Sequence, residues 1–499
     1  MISLGIDCGT QSTKCIALDT ETGRILASAQ QAYGFVPHLP PGAREQEPHW
    51  WSNAADETIQ SVIAQLGERK NDVRAIGVSG QQHGLVVLDE NDEVIRPAKL
   101  WCDTSTEPQC AELTRKLGGV SSLIAETGLP VLPGYTAGKI LWLKQREPEN
   151  WRRVRTILLP HDYLNFWLTG EKRMEFGDAS GTALLDVRRR EWNPRMMDAI
   201  DPGLPDKLPK LSSSNPSHGP VRDALWKKWG LPSAPLVSAG GGDNMMAAIG
   251  TGNVEPGVVT ASLGTSGTLF AFSTSPVVDP EGEIAAFCDS TDHWLPLLCT
   301  MNVTLVTELV REMFAWDHAK FDAAVRGVPA GADGLLLLPY LTGERTPNLP
   351  NGSGVLHGLT PRNFHPAHLA RAAMEGVTLG LGYGLQRLIA LGIRPTEIRL
   401  TGGGSNSATW RQICASVFGV PTVCLESGEG AALGAALQGA WTWNHENGSD
   451  ESLAEFAGAR VKLDESTRAR PQAEETEIYR AAIEKSSRLR GALVSANLL

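Results

Sequence analysis

The sequence has few cysteines, and none of them lies in a metal-binding pattern. Eight cysteines are scattered over 499 residues, without a Cys-x-x-Cys pair or the spacing of zinc ligands. The N-terminal residues also lack the basic and apolar segments of a signal peptide. In such a chain the cysteines predict reduced thiols rather than a disulfide framework. We therefore expect a cytoplasmic protein.

Long apolar runs and an excess of positive charge are also missing. No apolar run approaches the ~20 residues of a membrane span. Acidic residues outnumber basic ones, 56 to 45, which gives a formal net charge of -11. A negative surface repels nucleic-acid phosphates and anionic membranes, so neither is an expected partner. A polyphosphate ligand would have to be held by local features of the chain.

The common nucleotide-binding motifs are missing as well. The sequence contains no G-x-x-x-x-G-K-[ST] motif, and no complete glycine loop or H-R-D set of the protein kinases. The P-loop and protein-kinase modes of binding ATP are therefore not expected. Any nucleotide site must be built differently.

The length and the element pattern predict two α/β domains. A chain of 499 residues is too long for one ordinary core. Strand and helix patterns alternate, and a strand, Gly-Thr turn and strand near the N-terminus recur after the middle of the chain. We predict one domain over residues 1–240 and a second over 241–499, with a terminal helix at about 474–493.

Three glycine clusters follow predicted strands. Two are hairpin turns, around Gly9-Thr10 and Gly264-Thr265, and the third, Gly402-Gly403-Gly404, opens a helix. Glycines let backbone N–H groups approach a phosphate closely, and a helix N-terminus attracts its charge. A single cluster is better explained by a turn, but three together favour a nucleotide cleft.

Two aspartates end predicted strands beside these glycines. Asp7 could hold Mg²⁺ directly or through water, or it could bind its own backbone in a turn. Asp243, after Gly240-Gly241-Gly242, could cap the next helix or act as the base that phosphoryl transfer to an alcohol requires. Capping and catalysis are compatible, because both favour an ionised aspartate.

Two further segments offer groups that suit a polyol. Gln82 and His83 lie between glycines after a strand, although a lone histidine is more often structural. Trp101 and Asp103 follow another apolar strand and offer an aromatic wall and a carboxylate, although the tryptophan could equally belong to the core.

Taken together, these motifs resemble the FGGY family of carbohydrate kinases. Asp7–Lys14, Gly240–Asn244, Ser262–Gly267 and Gly402–Ser405 occur in the family's order, and Lys139–Leu143 and 354–375 resemble its two signature regions. The resemblance implies an actin-like ATPase fold of two ribonuclease-H-like domains, with ATP and Mg²⁺ in the central cleft. It implies that Asp243 is the base and that Asp7 has a catalytic, magnesium-linked role.

The resemblance also implies the ligand contacts. Within the family, the segments at 80–84, 101–103 and 338–347 look most like kinases of D-xylulose, although Gln82 and Ser105 replace residues common there. The implied sugar contacts are Gln82, His83, Trp101, Asp103 and Asp243. The implied nucleotide contacts are Thr10, Lys14, Gly264, Thr265, Gly403, Gly404 and Asn406. A kinase of another ketose, polyol or sugar acid, and an actin-like ATPase without an acceptor, remain alternatives, and a homodimer is plausible from the family.

Overall fold

Two seven-stranded mixed sheets form the framework of the molecule. The computed structural model describes all 499 residues, Met1–Leu499. Helices cover the sheets, which confirms the predicted α/β class. All eight cysteines are free, and no helix is both long and apolar enough to cross a membrane.

The first half of the chain contains fifteen strands and nine helices. The strands are β1 (Ile2–Cys8), β2 (Ser12–Asp19), β3 (Arg24–Ala32), β4 (Glu45–Gln46), β5 (Val73–Gly80), β6 (Val86–Leu88), β7 (Ala98–Lys99), β8 (Thr156–Leu158), β9 (Arg173–Glu175), β10 (Leu185–Asp186), β11 (Glu191–Trp192), β12 (Lys210–Ser212), β13 (Gly219–Pro220), β14 (Leu236–Val237) and β15 (Gly241–Gly242). The helices are α1 (Pro48–Leu66), α2 (Glu107–Lys116), α3 (Val120–Thr127), α4 (Thr136–Arg146), α5 (Pro148–Arg153), α6 (Pro160–Thr169), α7 (Phe176–Ser180), α8 (Pro194–Ile200) and α9 (Asp223–Lys228).

The second half contains nine strands and eight helices. The strands are β16 (Val258–Leu263), β17 (Gly267–Ala271), β18 (Ala285–Cys288), β19 (Trp294–Thr300), β20 (Leu336–Pro339), β21 (Gly354–His357), β22 (Glu397–Thr401), β23 (Thr422–Leu425) and β24 (Leu463–Ala469). The helices are α10 (Asp243–Gly250), α11 (Thr304–Met313), α12 (His318–Arg326), α13 (Pro366–Ala390), α14 (Ala408–Phe418), α15 (Gly430–Glu446), α16 (Leu453–Gly458) and α17 (Ala473–Ser495). Short 3-10 helices lie at Gly67–Asp72, Pro205–Lys207, Ala332–Gly334 and Gly403–Asn406.

The two large sheets repeat one arrangement. The first has the strand order β13-β14-β5-β1-β2-β3, with β15 beside the end of β5, and the second has the order β18-β19-β17-β16-β22-β23-β24. In each, a central strand (β1 or β16) pairs antiparallel with its hairpin partner and parallel with a strand on its other side (β5 or β22). The repeat of strand, Gly-Thr turn and strand in the sequence therefore corresponds to a repeat in the fold.

Two helices, α10 and α15, lie between the sheets and cross each other at glycines. A Cβ atom on Gly250 would lie 1.8 Å from the Gly430 carbonyl oxygen, and one on Gly434 would lie 1.7 Å from that of Met246. Helix α15 also packs directly on the first sheet, where Gly5 contacts the backbone of Ala432. The first sheet is therefore completed by a helix from the far end of the sequence.

The elements that the sequence predicts are present, whereas short or polar strands were not predicted. The helix predicted to open at the third glycine cluster corresponds to α14, and the predicted terminal helix at about 474–493 corresponds to α17. Strand β24 was not predicted, because its residues are largely polar and none of them is fully buried. The domain boundary after residue 240 stays a prediction, and α15 packs across it.

Candidate active site

Asp7 lies at the carboxyl end of β1, next to the first hairpin turn. In the sheet it stands opposite Lys14 on β2 and Ser79 on β5. The Ser79 hydroxyl donates a hydrogen bond of 2.9 Å to Asp7 Oδ1. Burial raises the pKa of Asp7, while the Ser79 hydrogen bond and the charge of Lys14 oppose this effect. The carboxylate is thus held at a strand end, half-buried, as the sequence predicts.

Asp243 is the first residue of α10, immediately after the three glycines. Its Oδ1 accepts hydrogen bonds from the backbone N–H and the side-chain amide of Asn244, at 2.8 and 2.9 Å. Burial, together with the negative charge of Asp7, raises the pKa of Asp243 to about 7. A carboxylate with a pKa near neutrality is well matched to accepting a proton from an alcohol.

Gln82 is joined to Asp243 through Asn244. The Asn244 amide donates to Gln82 Oε1 at 2.8 Å, and Gln82 Nε2 points to the sulfur of Met245 at 3.1 Å. A Cβ atom on Gly242 would lie 2.6 Å from Gln82 Cγ, so the absence of a side chain there lets Gln82 approach. The structure therefore brings together Gln82 and Asp243, which sequence reasoning assigned to one sugar site.

His83 follows in a buried aromatic setting. Its ring packs edge-on against Tyr135, with centroids 5.1 Å apart, and lies 5.4 Å from the ring of Phe287. Burial, with the positive charges of Lys139 and Arg345, holds the pKa of His83 well below its usual value. The imidazole is therefore neutral, and it can both donate and accept a hydrogen bond.

The first hairpin carries Thr10 and Lys14, which were predicted to contact the nucleotide. Trp101 Nε1 donates a hydrogen bond to Thr10 Oγ1 at 2.9 Å. The tryptophan predicted to line the sugar site therefore contacts the turn predicted to bind phosphate. Lys14 Nζ forms an ion pair of 2.7 Å with Glu429, which directly precedes α15. Both side chains of this pair are about 30% exposed (29% and 30%), so a ligand could reach them.

The second hairpin and the glycine loop after β22 lie side by side. Gly402 has φ of +81°, and a Cβ atom there would lie 2.7 Å from the Leu263 backbone. Gly403 has no atom within 4 Å of its Cβ position, and Thr265 and Asn406 are exposed. The predicted nucleotide residues of the second half thus lie in one region, where Thr265, Gly403 and Asn406 are exposed, Gly264 is partly exposed and Gly404 is buried.

Asp103 is fully engaged by other protein groups. Its Oδ2 accepts from the backbone of Arg44 at 2.9 Å and from Lys99 at 3.0 Å. Its Oδ1 accepts from the backbone and hydroxyl of Ser105, at 2.9 and 2.6 Å. The side chain is fully buried. Its predicted sugar contact stays a prediction, and this geometry favours a role in holding the loop that carries Trp101.

The carboxylates of Asp7 and Asp243 fit Mg²⁺. No group of three or more His, Cys, Asp or Glu side chains is arranged to hold a metal ion. Mg²⁺ does not need one, because it commonly takes one or two carboxylates and completes its shell with water and substrate phosphates. Each of the two aspartates keeps one oxygen, Oδ2, that accepts no hydrogen bond from the protein. Two half-buried carboxylates, of which Asp7 raises the pKa of Asp243, favour a cation beside them.

Sequence reasoning did not assign roles to several residues of this site. Asn244 was visible beside Asp243, and an amide next to a candidate base could have been singled out. Glu429 could not have been found, because 415 residues separate it from Lys14. Tyr135 and Phe287 belong to none of the motifs in the sequence, so no sequence signal could have identified them.

Comparisons with known proteins identify the relatives of this chain. The N-terminal domain of the FGGY family of carbohydrate kinases matches residues 2–250, and the C-terminal domain of that family matches residues 259–443. A xylulose kinase of Haemophilus influenzae is 41% identical over 488 residues, which cover 97% of this chain and 98% of the relative.

Two solved structures from Lactobacillus acidophilus have the same fold. A ligand-bound xylulose kinase aligns with a TM-score of 0.91 and 26% identity, over 99% of this chain and 98% of its own. A gluconate kinase aligns with the same TM-score and 25% identity, over 99% and 98%. The overall fold therefore does not distinguish these two sugars, and the distinction must come from individual residues.

Proposed function

The chain belongs to the FGGY family of carbohydrate kinases, and we propose that it transfers the γ-phosphoryl group of ATP to the 5-hydroxyl of D-xylulose. Its two sheets are the ribonuclease-H-like domains of the actin-like ATPase fold, as the resemblance predicted. The identity of 41% to a xylulose kinase over nearly the whole chain supports the choice of sugar. The observation that carries the proposal is the hydrogen-bonded link between Asp243 and Gln82 through Asn244.

Asp243 is the proposed base. Its Oδ1 is fixed by two donors from Asn244, so Oδ2 is available to accept the proton of the sugar hydroxyl. Orientation of this kind supplies a large part of phosphoryl-transfer catalysis, because the chemistry demands little beyond positioning and charge stabilisation. Asn244 thus acts as the residue that aims the carboxylate.

Gln82 and His83 are the proposed sugar contacts, with Trp101 as a wall of the pocket. Gln82 already has its side chain aligned by Asn244 and Gly242, so little conformational freedom would be lost on binding. Asp103 supports this region through its bonds to Lys99 and Ser105. The Trp101–Thr10 hydrogen bond would connect sugar binding to the phosphate turn.

The nucleotide would lie across the two hairpins. The residues proposed to contact it are Thr10, Lys14, Gly264, Thr265, Gly403, Gly404 and Asn406. Asp7, directly or through water, would hold Mg²⁺, which when bound neutralises charge on the phosphate oxygens. Backbone N–H groups of the glycine turns suit the same oxygens, because no side chain blocks their approach.

The proposal also covers the exclusion of water from the site, the location of the protein and its oligomeric state. Closure of the two domains would exclude water, which otherwise competes with the sugar for the phosphoryl group. A cytoplasmic location belongs to the same proposal, since ATP is the phosphoryl donor. A homodimer stays a prediction.

The test is ADP release from Mg-ATP with a panel of acceptors. The panel contains D-xylulose, L-xylulose, D-ribulose, L-ribulose, glycerol, D-arabitol and gluconate, with a blank that lacks sugar. We expect the highest kcat/KM with D-xylulose and a 5-phosphate product by ³¹P NMR. A higher kcat/KM with gluconate or another acceptor would keep the kinase and reject the proposed sugar. Turnover independent of every acceptor would instead indicate an ATPase.

A further inference from the structure

Two buried polar atoms beside the proposed sugar site face each other without a hydrogen bond. They are Nδ1 of His83 and Oδ1 of Asp178, and the distance between them is 3.9 Å. His83 is 7% exposed and Asp178 is fully buried, so water cannot readily satisfy either atom. Buried polar groups are nearly always paired, so an unpaired couple facing each other calls for an explanation. Hydrogen bonds in active sites are often long in the ligand-free state and shorten when substrate binds.

Asp178 is held in place from its other side by a second histidine. His161 Nδ1 lies 2.8 Å from Asp178 Oδ2, and His161 Nε2 lies 3.1 Å from Asp162 Oδ1. Burial alone would lower the pKa of His161, but the charges of Asp162, Asp178 and Glu175 raise it to about 9. His161 is therefore a cation at neutral pH, and it binds Asp178 Oδ2, so the other oxygen of that carboxyl group, Oδ1, is left to face His83.

The ring of His83 has little freedom to turn away from this carboxylate. Its backbone has φ of +62°, and its carbonyl accepts bonds from Thr136 Oγ1 at 3.1 Å and Lys139 Nζ at 2.9 Å. A Cβ atom on Gly181 would lie 1.9 Å from the ring, so the Gly181 backbone packs against it. With Tyr135 on another side, the ring presents Nδ1 to Asp178 and leaves Nε2 without a protein partner.

We propose that Asp178 is a positioning residue that fixes His83 as its Nδ1–H tautomer, so that Nε2 accepts a hydrogen bond from a sugar hydroxyl. A neutral imidazole has one donor and one acceptor nitrogen, and a carboxylate facing Nδ1 selects the proton for that position. An acceptor at Nε2 recognises a hydroxyl and not a carbonyl oxygen, which has no proton to donate. The inference rests on the proposed sugar site. It assigns the direction of one hydrogen bond there, from a sugar hydroxyl to His83 Nε2.

The tautomer can be read in the wild-type protein by ¹H–¹⁵N NMR of histidine side chains. Protonated and unprotonated ring nitrogens differ in ¹⁵N shift, and the spectrum of His83→Gln identifies the His83 signals. We expect a protonated Nδ1 and an unprotonated Nε2, with and without D-xylulose. An Nε2–H tautomer or an imidazolium would overturn the proposal, and this measurement needs no Asp178 variant to fold.

The variant Asp178→Asn tests the consequence for the sugar. An amide can offer a donor as well as an acceptor to Nδ1, so we expect a mixed tautomer and a KM for D-xylulose raised at least about tenfold, with a smaller change in kcat. Asp162→Asn is the matched control, because Asp162 contacts the other nitrogen of His161 and not His83. It should leave the His83 spectrum unchanged.

The outcomes separate this inference from the proposed function. An unchanged His83 spectrum and KM in a folded Asp178→Asn protein would overturn the positioning role, even if D-xylulose is the substrate. A wild type that shows no sugar-dependent turnover would instead reject the proposed function, and the tautomer spectrum would be unaffected by that result.

Discussion

At the scale of single residues, the two carboxylates of the proposed site influence each other, because the negative charge of Asp7 contributes to the raised pKa of Asp243. Asp7 and Asp243 were singled out because each follows an apolar strand and adjoins glycines, and both carboxylates lie in one site. Asp103 follows a strand too, but its bonds to Lys99 and Ser105 occupy it. Sequence could not reveal this, because whether a neighbouring lysine turns toward a carboxylate depends on burial around both.

The role of Asp243 predicts a large loss of turnover in Asp243→Asn. The amide cannot accept the hydroxyl proton, so kcat should fall by about 10²–10⁴-fold or more. The control is Asp317→Asn, since Asp317 caps α12 through Lys320 N at 2.7 Å, and asparagine caps equally well. Near-normal kcat in a folded Asp243→Asn protein would reject the proposed base.

The raised pKa of Asp243 predicts opposite pH trends for activity and stability. The base must be ionised, so kcat/KM should fall as the pH is lowered through about 7. A carboxyl whose pKa is raised above its ordinary value of 3.8 binds its proton more tightly in the folded state, so its contribution to stability is lost as the pH rises from about 4 to 7. Measured as Tm against pH without ligands, this loss should shrink in Asp243→Asn.

At the scale of elements, hydrophobic pattern and glycine position predicted both hairpins, the helix after the third glycine cluster and the terminal helix. Short or polar strands escaped prediction, and β24 shows why: it lies at the edge of the second sheet and none of its residues is fully buried, so they need not be apolar. The path of α15 was also unpredictable. Its small residues indicate close packing, but they do not indicate that the helix packs against the first sheet.

The crossing of α10 and α15 predicts a strong effect of one added methyl group. In Gly434→Ala the Cβ would lie 1.7 Å from the Met246 carbonyl oxygen, so the helices must separate. We expect the free energy of unfolding to fall by about 1–3 kcal/mol or more, measured by urea denaturation.

The matched control for this crossing is Gly380→Ala within α13. A Cβ atom there meets nothing within 4 Å, so the substitution should leave stability unchanged or raise it by up to about 1 kcal/mol. Equal losses in both variants would show that helix propensity, and not the crossing, explains the effect.

At the scale of the whole molecule, the two halves meet through charges as well as helices. Lys14 on the first hairpin binds Glu429 next to α15. Because Lys14 is also a proposed phosphate contact, Glu429 and the nucleotide would compete for the same ammonium group. An ion pair exposed to this degree contributes at most about 1 kcal/mol, so the competition should be modest.

This competition predicts opposite shifts of the KM for ATP. Lys14→Met should raise it by about tenfold, because a charged phosphate contact is lost. Glu429→Gln should lower it by up to about fivefold, because the ammonium group no longer has a competing partner. Glu426→Gln, nearby and without an ion pair, is the control. A raised KM in Glu429→Gln would show that the pair supports nucleotide binding.

The late position of α15 in the sequence also delays completion of the first sheet during synthesis on the ribosome. Strands β1 and β5 emerge early, but the helix that covers them lies at Gly430–Glu446. The roughly 200 residues between Gly242 and Glu446 take about 10–40 s to translate at ~5–20 residues per second. During that time one face of the nascent first sheet has no permanent cover. A chaperone that binds apolar strands would have the most time to bind this uncovered face during that interval. The interval would end when the finished chain is released.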